Sequence, residues 1–129
     1  MMTGVETLPI FRDTYCFTQE IFSHTIRFSR DFKFILGTSL NKDCLDLCTT
    51  ICTAYREDDK MPLLKQYSVL LNRIKLQLRL CSDFQLLSFK QQADLSQRIE
   101  KLSIQVLAWQ KSERKRQLNQ QSSSCRNQE

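Results

Sequence analysis

The chain contains very few of the residues that break helices and form turns. Its 129 residues include two glycines and two prolines, whereas average usage would give roughly nine and six. β-hairpins and β-sandwiches need many turns, so this scarcity argues against an all-β fold. Both prolines, Pro9 and Pro62, precede a helical pattern, and proline suits the first turn of a helix. The sequence therefore predicts an all-α protein.

Four long segments show the apolar spacing of amphipathic helices. Within each segment apolar residues recur every three or four positions, which is the repeat of one helix face. The segments run from about Pro9 to Arg30, Phe32 to Tyr55, Lys60 to Ser82 and Ser88 to Gln110. Short links between long helices favour antiparallel neighbours. We therefore predict an antiparallel up-down-up-down four-helix bundle over residues 1–110, which assembles as a ring.

The composition changes after Gln110, where the apolar periodicity stops. The first part of this region is a basic run formed by Lys111, Arg114, Lys115 and Arg116. Residues 118–129 are rich in Gln, Ser and Asn, a composition that cannot bury enough apolar surface to form a core. We predict a basic and then polar disordered tail over residues 111–129.

The third segment carries positive charge only. No Asp or Glu lies between Lys60 and Ser82, and the positive residues there are Lys60, Lys65, Arg73, Lys75 and Arg79. At about 100° per residue, Lys65, Lys75 and Arg79 share one face. Lys75 and Arg79 form a like-charge i,i+4 pair, which destabilises a helix unless another group offsets it. A bound polyanion would do so, and so would carboxylates on neighbouring helices; the stretch alone leaves both readings open.

Two segments carry more apolar surface than a monomeric bundle of this size needs. The first segment has two adjacent apolar stripes that cover about half of its circumference. On the third segment the residues off the main stripe are Leu63, Val69, Leu70, Leu76 and Leu80. We interpret these surfaces as a subunit interface, with a wide core as the alternative. Contacts between different faces of identical subunits close into rings.

No group of residues marks a catalytic centre. His24 is the only histidine, and no glycine-rich loop is present to hold a phosphate. Cys44, Cys48 and Cys52 share one helix face, where thiolates would bind a metal only if His24 or Cys81 completed a tetrahedral set. Cysteine more often packs as a small hydrophobic residue. We therefore predict buried reduced thiols, no metal, no cofactor and no enzymatic activity.

The overall charge favours an anionic partner. The formal net charge is +5 and the isoelectric point about 9.0, which suits nucleic acid or another anionic surface. Nothing near the N-terminus has the pattern of a signal peptide, and no apolar run approaches the ~20 residues of a membrane span. We expect a cytoplasmic protein without a membrane partner, whose six cysteines are reduced.

Four stretches, in their order and spacing, resemble one family of small helical proteins. They are Phe32-Lys33-Phe34-Ile35-Leu36-Gly37, Leu71-x-x-Ile74-x-x-Gln77-Leu78-Arg79-Leu80, Asp83-x-x-Leu86-Leu87-Ser88 and Trp109-x-Lys111. Over roughly residues 11–111 the chain resembles the accessory variability determinant proteins of diversity-generating retroelements. These belong to a wider group of four-helix proteins that includes those encoded in ribosomal RNA intervening sequences. The chain differs from the family at Leu107 and Ala108, where glycine usually precedes the terminal tryptophan.

The resemblance implies a non-enzymatic accessory subunit that forms a homopentameric barrel. Proteins of that family bind the element's reverse transcriptase and its template RNA, and support the mutagenic complementary-DNA synthesis that diversifies a target gene. From the charge pattern, we predict that these residues contact RNA or DNA phosphates: Lys60, Lys65, Arg73, Lys75, Arg79, Lys111, Arg114, Lys115 and Arg116. The alternative is a structural helical adaptor whose basic face only keeps the protein in solution.

Overall fold

The structure, a computed structural model, describes residues 4–127, with side chains through residue 122. After a short 3-10 turn at Val5–Thr7, the elements are α1 (Pro9–Thr25), α2 (Arg30–Phe32), a π-helical turn (Lys33–Gly37), α3 (Thr38–Arg56), α4 (Met61–Asp83) and α5 (Phe89–Asn127). Helical dihedral angles continue from α2 through the π turn into α3, so these three form one rod. The described residues contain four long helices and no strand, which confirms the predicted all-helical fold.

The four long helices enclose one apolar core. α1 and α4 each contact both α3 and α5. Every helix contributes buried side chains to the core, among them Phe17, Leu47, Tyr67 and Ile99. Each such side chain stabilises the fold by about 1.5–3 kcal/mol relative to an exposed one. The apolar stripes that the three-and-four spacing predicted are the inner faces of the helices.

Local hydrogen bonds fix the junction between α4 and α5. Gln85 adopts a positive φ of 61°, and the Leu86 N–H donates to the Cys81 carbonyl at 2.8 Å, which satisfies an acceptor at the end of α4. α5 then begins with a capping box. The Gln91 N–H donates to Ser88 Oγ and the Ser88 N–H donates to Gln91 Oε1, each at 3.0 Å. Two otherwise unpaired N–H groups are thereby satisfied.

The π-helical turn holds an extra residue relative to a turn of α-helix. Phe32 and Leu36, at the start of the rod, pack against the core. Between them, Phe34 and Ile35 face outward, with 81% and 67% of their surface exposed. Gly37 is buried at the end of the turn, where an added Cβ would lie 3.5 Å from the Thr25 side chain. The rod therefore changes its helical phase here while keeping its inner face on the core.

α5 continues well beyond the end that the sequence predicted. The helix reaches Asn127, so the predicted end at Gln110 is wrong. Residues 111–127 of the region predicted as a basic and then polar disordered tail belong to this helix, and residues 128–129 lie outside the described range. The reason is that polar groups take over the packing. Gln110 is buried and its Nε2 donates to the Leu64 carbonyl at 3.1 Å and to Ser68 Oγ at 3.0 Å. The spacing of apolar residues cannot reveal polar contacts between helices such as these.

Candidate nucleic-acid interface

α4 meets its neighbours through polar contacts on two sides of its buried stripe. Toward α3, the Gln77 side-chain amide donates to Asp43 at 2.6 Å. Toward α5, Lys75 contacts Glu100 and Ser68 contacts Gln110. These contacts define which of the predicted phosphate-binding cations face a neighbouring helix and which face outward.

Arg73 is paired with an acid from another helix. Its Nε lies 3.1 Å from Asp43 Oδ2, which also accepts from Gln77. Asp43 is buried, with 5% of its surface exposed, and a buried carboxylate is costly unless it is paired and hydrogen-bonded. Arg73 therefore pairs with Asp43 at the contact between α3 and α4, although much of the Arg73 side chain is exposed.

Lys75 and Lys60 also have partners within the chain. Lys75 Nζ donates to Glu100 Oε1 of α5 at 2.9 Å, and this carboxylate offsets the repulsion between Lys75 and Arg79. Lys60 Nζ donates to the backbone carbonyls of Ala54, Tyr55 and Glu57 at 2.8, 3.0 and 2.6 Å. A cation at the C-terminal end of a helix is favourable, so Lys60 caps α3.

Arg116 is held by an acid one turn away on α5. Its Nε lies 3.0 and 3.2 Å from the two carboxylate oxygens of Glu113, and its Nη2 donates to the Asp58 carbonyl at 2.6 Å. The hydrogen bond to Glu113 raises the pKa of the Arg116 guanidinium. Four of the nine predicted cations, Lys60, Arg73, Lys75 and Arg116, are therefore engaged inside the fold.

The other five cations are exposed and have no acceptor among the residues that the structure describes. They are Lys65, Arg79, Lys111, Arg114 and Lys115. Gln110 contacts the carbonyl of Leu64, so Lys65 and Lys111, which follow these two residues, lie at the same level of the bundle. Arg114 stands one turn beyond Gln110 on the side toward α4. Arg79 lies about 21 Å from Lys65 along α4.

An apolar stripe runs along α4 beside these cations. Val69 and Leu76 have 66% and 62% of their surface exposed, and Leu80 is also exposed. Leu63 and Leu70 are instead partly buried against the core. Three of the five surplus apolar residues therefore face outward. The second predicted stripe of the first segment consists of Phe11, Tyr15, Phe22 and Ile26. Phe11 is buried in the core, whereas Tyr15, Phe22 and Ile26 are exposed.

The cysteines of α3 form a graded series from the core to the surface. Cys44 is fully buried, while Cys48 and Cys52 are half-buried. Burial raises the pKa of all three thiols. Within residues 4–122, where side chains are described, no three His, Cys, Asp or Glu side chains are grouped in a way that could hold a metal ion. The predicted burial is confirmed for Cys44 and only partly met by the other two.

Sequence comparisons identify no relative: no protein-family model matches the chain, and no curated protein sequence matches it. Membership of the accessory variability determinant family stays a prediction that rests on the four stretches of resemblance. In the described part of the chain, no helix has both the length and the apolar character needed to cross a bilayer. The positions and partners of the basic residues therefore carry the functional argument.

Sequence reasoning missed the polar residues that extend α5 along the bundle. Gln110 and Glu113 are both buried, and the signal that could have found them is spacing rather than hydrophobicity. Val106, Gln110, Glu113 and Gln117 follow one another at intervals of four, three and four residues, so they continue the inner face of α5. Asp43 and Glu100, which pair with α4, carry no comparable signal.

Proposed function

We propose that this chain is a non-catalytic, nucleic-acid-binding subunit that assembles with copies of itself and accompanies a reverse transcriptase in the cytoplasm. The observation that carries the nucleic-acid part is the set of five exposed cations that have no counter-charge among the described residues. The reverse transcriptase, the template RNA and the retroelement come from the resemblance alone. The chain would then support mutagenic complementary-DNA synthesis as an accessory subunit.

Unpaired cations on packed helices suit a phosphate backbone. Lys65 of α4 and Lys111 of α5 each follow a residue of the Gln110–Leu64 contact, and each helix is held by its own contacts to the core. Because the helix backbones are already ordered, phosphate binding orders only the side chains of these cations. No aromatic side chain alternates with them in the sequence, so contacts to the backbone should exceed base stacking. Binding is therefore expected to be weakly sequence-selective and strongly salt-dependent.

The helix contacts support an antiparallel order within the subunit. Thr25 donates to Asn41 at 3.0 Å, whereas Thr18, earlier in α1, contacts Cys48, later in the rod. Exposed apolar stripes on α1 and α4 are different faces, and contact between different faces of identical subunits closes into a ring when the rotation between neighbouring subunits permits closure. Five subunits per ring is the number that the resemblance implies. Light scattering that gives a monomer mass at all concentrations would contradict the interface, whereas another ring size would contradict only the pentamer.

A structural adaptor is the second candidate, and the internally paired cations favour it. Arg73 and Lys75 lie on the acid-free helix that suggested nucleic-acid binding, yet both are paired with carboxylates of neighbouring helices. If the five exposed cations likewise serve only to keep the protein in solution, the chain would bind no RNA.

A matched pair of double variants distinguishes the two functions. Lys65→Ala with Arg79→Ala removes two unpaired cations, whereas Lys42→Ala with Lys75→Ala removes two that face Asp46 and Glu100. The probe is a fluorescently labelled, mixed-sequence single-stranded RNA. A log–log salt slope of about 0.7 per phosphate corresponds to about fivefold in affinity per contact at 0.1 M salt. We expect about 25-fold weaker binding for the first variant and a smaller loss for the control.

The outcome decides between the candidates. A salt slope that falls by about 1.4 in the first variant supports two lost phosphate contacts. Equal losses in both variants would mean that only net charge matters, and absence of RNA binding by the wild-type chain would favour the adaptor. Circular dichroism of each variant verifies that the helices are intact.

A further inference from the structure

The extension of α5 is fastened to the linker between α3 and α4. Two contacts join them: Arg116 Nη2 donates to the Asp58 carbonyl at 2.6 Å, and Gln117 Nε2 donates to Asp59 Oδ1 at 3.0 Å. Glu113 holds Arg116 in place from one turn before it. We call these five residues, Asp58, Asp59, Glu113, Arg116 and Gln117, the clasp.

The clasp is built around a buried charge. Glu113 has 5% of its surface exposed, although it lies in a region where every neighbouring position along the helix is polar. Burying a carboxylate is unfavourable unless it is paired and hydrogen-bonded. Both of its oxygens accept from Arg116, so the position of the guanidinium is fixed by the same carboxylate. A solvated tail would have no need for this arrangement.

The clasp fixes the rotation of the basic part of α5. Gln110 is anchored to α4 through Leu64 and Ser68, and Arg116 is anchored to the linker. Lys111, Arg114 and Lys115 lie between these two anchors. A helix held at both ends of such a short span cannot turn about its axis, so Arg114 stays on the side toward α4.

We propose that the clasp is a positioning device that keeps Lys111 and Arg114 beside Lys65, so that the three form one composite phosphate-binding site where α4 and α5 are in contact. The inference rests on the proposed function. Arg116 then acts through Glu113 and Asp58 and does not itself contact nucleic acid. This revises the sequence-based prediction, which placed Arg116 among the phosphate contacts.

Substitution of Glu113 distinguishes a positioning role from a simple charge effect, because the two predict opposite changes in RNA affinity. Removing an acid from a basic surface ordinarily strengthens binding of a polyanion, because one repulsive charge is lost. If the clasp positions the cations, the same substitution weakens binding, because the basic part of α5 is released. Glu100→Ala is the matched control, since Glu100 lies on the same helix and pairs with Lys75.

The experiment measures affinity for the labelled single-stranded RNA and its salt dependence in Glu113→Ala and Glu100→Ala. We expect Glu113→Ala to bind about fivefold more weakly at 0.1 M salt, which is the loss of about one phosphate contact, and Glu100→Ala to bind at least as tightly as the wild type.

Gln117→Ala removes one contact of the clasp without changing charge, and Asn119→Ala is its neutral control. Gln117→Ala should weaken binding, and Asn119→Ala should not. Binding by Glu113→Ala that is unchanged or tighter would overturn the proposal.

Limited trypsin digestion tests the clasp without nucleic acid. Cleavage after Lys111, Arg114 and Lys115 should be slow in the wild type and faster in Glu113→Ala and Gln117→Ala. Equal cleavage in all variants would show that nothing is held, which also overturns the inference. A wild-type chain that binds no RNA would instead refute the proposed function, so the two failures are distinguishable.

Discussion

The inward and outward faces of α4 come from one amphipathic pattern but differ in how their polar groups are satisfied. On the inner side, the Tyr67 hydroxyl lies 2.7 Å from Thr14 Oγ1, and the Gln77 amide donates to Asp43 at 2.6 Å. On the outer side, Lys65 and Arg79 have no acceptor within the described residues, and Val69 is exposed to solvent.

The difference shows which face of such a helix is available to bind another molecule. Buried polar groups on the inner face need partners within the fold, because an unpaired one costs about 1–3 kcal/mol. Among the described residues, Gln77 Oε1 is the one buried side-chain oxygen or nitrogen that lacks such a partner. The cations on the outer face are hydrated, so the absence of a protein partner costs the folded state little free energy. Substitutions on the inner face should therefore change stability, whereas those on the outer face should change what the protein binds.

The largest effect is expected from Asp43→Ala on the inner face. The substitution removes the acceptor that lies 2.6 Å from the buried Gln77 amide and leaves only the Arg73 carbonyl at 3.5 Å. We therefore expect the free energy of unfolding to fall by about 2 kcal/mol in urea denaturation. Asp46→Ala is the control, because Asp46 only forms a more exposed pair with Lys42 at 4.0 Å, and should cost at most about 0.5 kcal/mol. Equal losses would mean that the two faces do not differ as described.

A smaller effect is expected from alkaline pH, through Cys81 on the inner face. Burial raises the pKa of the Cys81 thiol from 9.0 to about 11. The thiol deprotonates first in the unfolded chain, so its stabilising contribution is complete below about pH 9 and is lost as the pH rises toward about 11. Between about pH 9 and 10 this thiol should reduce the free energy of unfolding by about 1 kcal/mol. In Cys81→Ala the free energy of unfolding should fall less between these two pH values, by the contribution of the missing thiol. In Cys16→Ala, whose thiol is exposed, the fall should be the same as in the wild type.

On the outer face, two cations one turn apart should differ in binding. Arg79→Ala should weaken binding to single-stranded RNA by about fivefold at 0.1 M salt, because Arg79 has no acceptor within the described residues. Lys75→Ala removes the same charge but from a residue that donates to Glu100, so its loss should be smaller. Fluorescence anisotropy compares them directly, and the reverse order would contradict the assignment of Lys75 as an internally paired cation.

The smallest effect on stability is expected from the apolar stripe of α4. Val69→Ser and Leu76→Ser change side chains that already face solvent, so each should alter the free energy of unfolding of the subunit by less than about 0.5 kcal/mol. If the stripe is a subunit interface, the same variants should lower the mass measured by light scattering. An unchanged mass would place the interface elsewhere.

The sequence predicts the helices of this fold better than their electrostatic partners. Apolar spacing reveals each buried stripe, and the Ser88–Gln91 capping box forms as its residue types indicate. Both are local patterns within one helix. The partners of Arg73 and Lys75 are Asp43 and Glu100, which lie on other helices, and no local pattern specifies which acid will stand opposite a given cation.

The end of α5 was missed for a related physical reason. A stripe that changes from Val106 to Gln110 and Glu113 loses its hydrophobicity but keeps its spacing. Burial of these polar residues depends on acceptors and donors supplied by Leu64, Ser68 and Arg116. Only the three-dimensional arrangement brings Leu64 and Ser68 to Gln110, whereas Arg116 lies one turn after Glu113 on the same helix, a spacing at which side chains meet.

The π-helical turn at Lys33–Gly37 is the point where the length of this chain is least constrained. A deletion within α3 would rotate every later position of that helix by about 100° and move its inner residues off the core. Removing one residue from the π turn would instead close an ordinary α-helical turn and leave residues 38–56 facing the same neighbours. Insertions and deletions between related sequences should therefore collect at Phe34 and Ile35, whose side chains are exposed to solvent, and deletion scanning along the rod would reveal the same tolerance.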